Sequence, residues 1–434
     1  MKSTKYSRHV SPKTTPQSEA IPGKSMVKNS AGGYTFKVDE WIKLDRFLIL
    51  GSERGTYYVG AKELTKGNYE NLKKCLDVDG FRTVNRIAIV SESGIAPKND
   101  PAVFALAVAA SHSNDTTRAF ALHSLSRVVR TGSHLFQFVS EVNELRGWGR
   151  GLQTAVGDWY LSKSPENLAY QVAKYRQRGG WTHKDVLRLA SPKPDDDAMQ
   201  AIFRWVVTYD EFGVREVVRK ENKEVLRTDT YKSVDADLLP SVIQGTIKAL
   251  SNPDIEPQLA IKIILDHNLP WECIPTGWLN YPIVWETLLY KMNPLALIRN
   301  LGNLAKHGIL TVGSSGTKHA KGVLSNSDLL RKARIHPMQI LLASKTYASG
   351  HGYRGDGTWI PIPQIIDQLD DTFYETFKYV EPTDKRYSIN IDVSGSMSHP
   401  IANSNLSCCE AATAMALVTA KTEDNYIING FETG

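Results

Sequence analysis

The sequence predicts a mainly α-helical protein, an irregular HEAT-like solenoid of short helices, followed near Pro382 by the start of an α/β parallel-sheet domain. Three observations predict it. Apolar residues recur at i, i+3 and i+4 in many segments of one to four turns, with Pro or Gly at their ends. Beyond Pro382 this pattern gives way to a strand–helix–strand run. The chain has 434 residues, 41% hydrophobic and 23% charged, which excludes a wholly disordered or collagen-like protein and leaves room for two or three domains.

Residues 1–30, rich in Ser, Lys and Pro without periodicity, read as a disordered basic arm. Residues 31–380 read as the helical array. Clear helices are expected at 101–110 (PAVFALAVAA), 118–130 (RAFALHSLSRVVR), 166–178 (ENLAYQVAKYRQR) and 257–266 (PQLAIKIILD). Others are expected at 284–292 (VWETLLYKM), 294–306 (PLALIRNLGNLAK) and 337–348 (PMQILLASKTYA), with few strands among them. Stacked helical hairpins of this kind form curved surfaces suited to large ligands. In 385–434, RYSINIDV (386–393) reads as a strand, CCEAATAMALVTAK (408–421) as a helix and NYIINGF (425–431) as a second strand, a βαβ unit. One such unit takes roughly 30 residues or more, so the chain is expected to stop inside its last domain.

No stretch approaches the roughly 18 apolar residues of a membrane span, and the N-terminus lacks the apolar core of a secretory signal. The four cysteines show no CxxC spacing, which argues against a disulfide framework or zinc ribbon. A cytoplasmic location, with a nuclear one as a further option and no membrane partner, is the expectation. The net charge of +6 is unevenly placed, because residues 1–30 hold six Lys/Arg against Glu19 alone. Within the balanced remainder, 171–193 carries Lys174, Arg176, Arg178, Lys184, Arg188 and Lys193 against only Asp185. A second basic stretch, 299–354, has nine Lys/Arg against only Asp328. Segregated charge of this kind binds polyanions even when the total is modest.

Three constellations could carry chemistry. In 175–185 (YRQRGGWTHKD), Gly179-Gly180 are expected to end one helix and Thr182 to cap the next, with Asp185 closing a capping box. His183 and Lys184 would then sit in the first helical turn, where cations oppose the macrodipole and, with free N–H groups, make an anion pocket. Lys174, Arg176, Arg178 and Arg188 add charge, and Tyr175 and Trp181 add stacking faces, the combination that RNA binding needs. Alternatively the segment is a solvated basic turn with core aromatics.

The second constellation joins Arg334 and His336 to the loop 349–357 (SGHGYRGDG). Its GxGxxG spacing follows a helix rather than a strand, so a dinucleotide site is rejected. Polyanion contact fits better, although His336 before Pro337 reads equally well as a packed structural histidine. The third is Asp392, Ser394 and Ser396 at the end of a strand, three hard oxygen ligands suited to Mg²⁺. No HExxH, Walker A or GxSxG pattern occurs, so an enzyme is not expected.

The strings GSERGTYY (51–58), HLFQF (134–138), YRQRGGWTHKDVLRL (175–189), LIRNLG (297–302), KARIHP (332–337), TYASGHG (346–352), VEPTDKR (380–386) and DVSGSMS (392–398) run in order along the chain. They resemble the TROVE-domain family of ribonucleoprotein components. The resemblance implies a ring of HEAT-like helical repeats closed by a von Willebrand factor A domain, of which 385–434 would be the N-terminal part. It implies binding of small noncoding Y RNAs on a basic outer surface, here the segment of Lys174, Arg176 and His183. It further implies capture of single-stranded ends of misfolded RNAs in RNA quality control, with a nuclease or other RNA-processing protein as a further partner. Placing Arg334 and His336 near the single-strand site is part of that expectation. Asp392, Ser394 and Ser396 match the first motif of the family's metal-ion-dependent adhesion site, and the Thr and Asp that complete it would lie beyond Gly434. The competing reading is a helical protein–protein scaffold with a metal-dependent adhesion-type site.

Overall fold

The computed structural model describes residues 18–29, 32–51, 61–96, 98–210, 213–214, 218–221, 224–227, 236–352, 357–383, 385–401 and 404–432. Most of the expected basic arm (1–17 and 30), most of the GSERGTYY string (52–58) and the loop residues 353–356 lie outside the described residues. Strand β1 (Met26–Lys28) falls within the expected arm and pairs with β2 (Tyr34–Phe36). The chain divides into two compact units, one of residues 36–278 and one of 279–434 with the residues before 36. Among the described residues there are 20 α-helices and only two-stranded sheets, the mainly α class expected.

The first unit begins with α1 (Glu40–Leu50), α2 (Ala61–Val78), α3 (Gly80–Ser93) and α4 (Asp100–Ala110). It continues through α5 (Asp115–His123), α6 (Leu125–Val128), α7 (Gly132–Leu145), α8 (Arg150–Leu161) and α9 (Pro165–Lys174). The hairpin β3 (Gln177–Arg178) and β4 (Trp181–Thr182) follows, then α10 (His183–Ala190) and α11 (Asp197–Thr208). Two further short hairpins, β5 (Tyr209–Asp210) with β6 (Gly213–Val214) and β7 (Val218–Glu221) with β8 (Glu224–Arg227), precede α12 (Ser241–Ser251) and α13 (Pro257–Asp266).

Helix α4 lies at the centre of this unit, packed by α3, α5 and α7, with Ala102, Val103 and 105–110 all buried. That is why its sequence is apolar all round rather than along one stripe. Trp159, Tyr160, Phe136 and Phe138 fill the core below the β3–β4 hairpin. The starts of the helices are written in the sequence. Asp39, Asp79, Asn114, Thr131, Ser164 and Thr182 each accept a first-turn N–H.

The second unit holds α14 (Pro282–Leu289), α15 (Pro294–Lys306), α16 (Ser315–Leu324), α17 (Ser327–Lys332), α18 (Pro337–Ala348) and α19 (Pro363–Glu375). Then come β9 (Arg386–Asp392), α20 (Cys408–Thr422) and β10 (Asn425–Phe431). Strands β9 and β10 are parallel, in register from Arg386↔Asn425 to Asp392↔Phe431, so the βαβ unit stands as expected. Helix α20 rests on α18, where Lys345 Nζ lies 2.6 Å from Glu410 Oε1 and Asn405 Nδ2 donates to Ser349 Oγ at 3.0 Å.

Three element boundaries differ from expectation, the first being the helix expected at 284–292, which spans Pro282–Leu289. The 118–130 segment is two helices, because the chain tightens at Ser124, whose carbonyl accepts from Arg127 three residues on. Leu125 and Val128 continue into the same core, so the apolar spacing runs through the break unchanged. The 166–178 segment stops as a helix at Lys174. Gly179 and Gly180 do not end a helix. With φ of +57° and +82° they turn the β3–β4 hairpin, two left-handed residues that suit its twist.

Candidate nucleic-acid interface

The basic segment of the first unit is a strand-turn-strand set between two helices. Helix α9 ends at Lys174, Tyr175 leaves the helical conformation, the hairpin spans 177–182, and α10 starts at His183. The expected capping box is present, with Asp185 N–H donating to Thr182 Oγ1 at 3.2 Å and Thr182 N–H to Asp185 Oδ2 at 3.0 Å. It anchors the second leg of the hairpin to α10.

Lys174 Nζ lies 3.1 Å from Tyr170 Oη and 3.6 Å from Glu272 Oε1, and 5.2 and 5.5 Å from the Tyr170 and Tyr175 ring centres. Burial pulls its pKa down, but the Tyr170 hydroxyl, Tyr175 and Glu272 outweigh it, so the ammonium is held charged above its ordinary range. Arg178 is exposed and meets Asp100 Oδ1 at 3.3 Å. Lys184 is half-buried, and Arg188 and Lys193 are exposed. Arg178, Arg188 and Lys193 keep their cations on the surface, where they can neutralise phosphates, whereas the Lys174 side chain is 21% exposed.

Three sequence-picked residues sit otherwise. His183 is buried (3% exposed), its Nδ1 2.7 Å from Tyr160 Oη and its ring centre 4.6 Å from that of Phe136. Burial drives its pKa down to about 3, so it is a neutral ring inside the fold and not a first-turn cation facing solvent. Arg176 turns inward. Its Nε donates to Ala173 O at 3.3 Å, and its Nη2 is buried without a hydrogen bond among the described residues. Trp181 is half-buried against the core. An exposed aromatic face that the sequence reading did not single out is Tyr170, 39% exposed on α9. Its signal was the i, i+4 pair with Lys174.

In the second unit, α17 ends in a Schellman turn. Arg334 N–H donates to Arg331 O and Ile335 N–H to Leu330 O, with Arg334 left-handed at φ +53°. His336 caps α18, its Nδ1 accepting from Met338 N–H at 3.2 Å while its own N–H goes to Gln339 Oε1. Both side chains are exposed, and both belong to a different unit from the hairpin. His336 is thus an exposed helix cap and not the packed histidine that the sequence left open.

At the C-terminal end of β9, Ser394 N–H donates to Asp392 Oδ1 at 2.8 Å, and the Ser394 and Ser396 hydroxyls are 2.9 Å apart. The Ser394 hydrogen bonds hold the Asp392 carboxyl below its usual range. One carboxylate and two hydroxyls therefore converge on one exposed loop, a donor set that fits a hard divalent cation. Among the described residues no cluster of three or more His, Cys, Asp or Glu could hold a metal ion, and no helix is long and apolar enough to cross a membrane.

Comparison with known families and structures bears on the fold that carries these residues. Residues 27–349 match the TROVE domain, and residues 386–434 match the Ro60 vWA domain. The chain is 33% identical to the RNA-binding protein RO60 of Caenorhabditis elegans, over 92% of this chain and 70% of that protein. It is also 33% identical to the RNA-binding protein RO60 of Deinococcus radiodurans, over 98% of this chain and 76% of the relative. The crystal structure of the Deinococcus radiodurans RO (RSR) protein superposes with a TM-score of 0.72 at 31% identity, covering 91% of this chain and 75% of that one.

Proposed function

This chain belongs to the TROVE-domain, RNA-binding RO60 family, and from that premise we propose that it binds small structured noncoding RNA of the Y type on the surface formed by α9, the β3–β4 hairpin and α10. The observation that carries this reading is the run of cations Lys174, Arg178, Lys184 and Arg188 on one rigidly capped helix–hairpin–helix. Phosphates of a folded RNA meet these cations, and an unpaired base stacks on Tyr170, so shape more than sequence selects the RNA. Arg334 and the exposed ring of His336 serve a second contact, with single-stranded ends of misfolded RNAs. The protein thereby acts in RNA quality control as a component of a ribonucleoprotein in the cytoplasm.

Asp392, Ser394 and Ser396 would hold Mg²⁺ through their carboxylate and hydroxyl oxygens. A cation held there would supply positive charge for an acidic group of a partner protein. Ser394 keeps Asp392 oriented and ionised for it.

The test is a titration of the whole chain with a stem–loop RNA bearing a single-stranded tail, at several salt concentrations. Replacing Arg178, Lys184 and Arg188 together with Ala should weaken binding at least about tenfold and flatten the dependence of log affinity on log salt by about two to three units. A folded triple variant that binds like the parent removes this surface from the account.

A further inference from the structure

We propose that Gly132, Tyr160 and His183 form a socket that fixes the pose of the β3–β4 hairpin, so that Gly132 and Tyr160 set RNA affinity from inside the fold as positioning residues. This rests on the reading that the hairpin surface binds structured RNA.

The hairpin has little of its own to hold it. Only two residue pairs join its strands, and the tip glycines 179 and 180 have no neighbour where a Cβ would stand. A two-stranded ribbon of this size is not stable by itself. Its pose is therefore set from outside, by α7, by the Arg178–Asp100 pair and by the residues that flank it, Tyr175 before and His183 after. Both lie against Gly132, the first residue of α7. A Cβ there would sit 2.7 Å from His183 Nε2, 3.0 Å from His183 Cε1 and 2.9 Å from Tyr175 Cβ. Gly132 is not among the positive-φ glycines, so its backbone does not require glycine. The close approach of both hairpin flanks does.

The rest of the socket completes the constraint. Gly132 N–H donates to Gln171 Oε1 at 3.0 Å, tying α7 to α9 just before the hairpin. On the other side, the Tyr160 hydroxyl and His183 Nδ1 share one hydrogen bond at 2.7 Å, whichever ring tautomer is present. The imidazole is wedged between the Phe136 and Tyr160 rings at 4.6 and 5.7 Å. Both strands of the hairpin pack on α7 as well. A side chain at 132 must push Tyr175 and His183 apart and so reset Arg178 and Lys184, which lie three and one residues beyond them.

The experiment measures stem–loop RNA affinity against salt for Gly132→Ala, Tyr160→Phe and, as a core control on α3, Ile87→Val, with melting temperatures for all. Gly132→Ala should weaken binding about tenfold and flatten the salt slope by about one unit, and Tyr160→Phe should weaken it a few-fold. Ile87→Val should leave affinity and slope unchanged although it lowers the melting temperature. A general loss of stability would move the control equally, and that result would overturn the socket. So would wild-type affinity and slope in both folded socket variants. If Gly132→Ala does not fold, Tyr160→Phe, which keeps the ring and removes only the hydroxyl, decides the matter. The Arg178/Lys184/Arg188 variant separates the two readings: if it loses affinity while the socket variants do not, the interface stands and the socket falls.

Discussion

His183 and His134 are both kept neutral by burial, with pKa values lowered to about 3 and about 4. Arg130 adds to the effect at His134. In the unfolded chain each takes up a proton near pH 6.5, so below that pH the unfolded state binds more protons than the folded one. Stability should therefore fall as pH drops from about 6.5 toward 4. Urea midpoints at pH 7 and pH 5 measure this, and His183→Gln should show a smaller difference between them than the parent. An identical difference in the variant would mean that His183 is not the titrating group. The same burial explains why the sequence misplaced this residue. A histidine at the first position of a capped helix looks like a solvent-facing cation, and only the Tyr160 hydroxyl and Phe136 ring reveal that it points inward.

At the scale of single elements, the helices read most reliably were those whose ends carry local chemistry. Pro257, Pro294 and Pro337 start α13, α15 and α18 where expected, and Thr182 with Asp185 starts α10. Local signals failed where one core served two elements, as across Ser124, and where a glycine pair could end a helix or turn a hairpin. The Schellman end of α17 supports a further prediction. Arg334 takes the left-handed position that glycine prefers, at a cost of about 1 kcal/mol. Arg334→Gly should gain up to about 1 kcal/mol of stability and lose affinity for single-stranded RNA. A variant with unchanged or lower stability would mean that the arginine's own contacts offset the strain.

At the scale of the whole molecule, the two candidate sites are built in different units, the hairpin surface from residues 36–278 and the Asp392 loop from 279–434. Each is assembled from contacts within its own unit. Removing divalent cations with a chelator, or Asp392→Ala, should therefore leave stem–loop RNA affinity unchanged within about twofold at matched ionic strength. A larger loss would mean that the metal loop and the hairpin surface act together. The sequence alone determined the helical class, the βαβ unit after Pro382, the capped turn at Thr182, the oxygen donors of the Asp392 loop and where positive charge is concentrated. Periodicity, caps and composition are local, and they survive without knowledge of what packs where. Only the tertiary structure decided which of the charged and polar residues in 174–188 face water. It left Arg178 and Arg188 at the surface, half-buried Lys174, turned Arg176 inward and closed His183 over Gly132. That choice depends on α7 and α8, distant in sequence, supplying a glycine, a phenylalanine and a tyrosine at the one place where the hairpin's two legs meet.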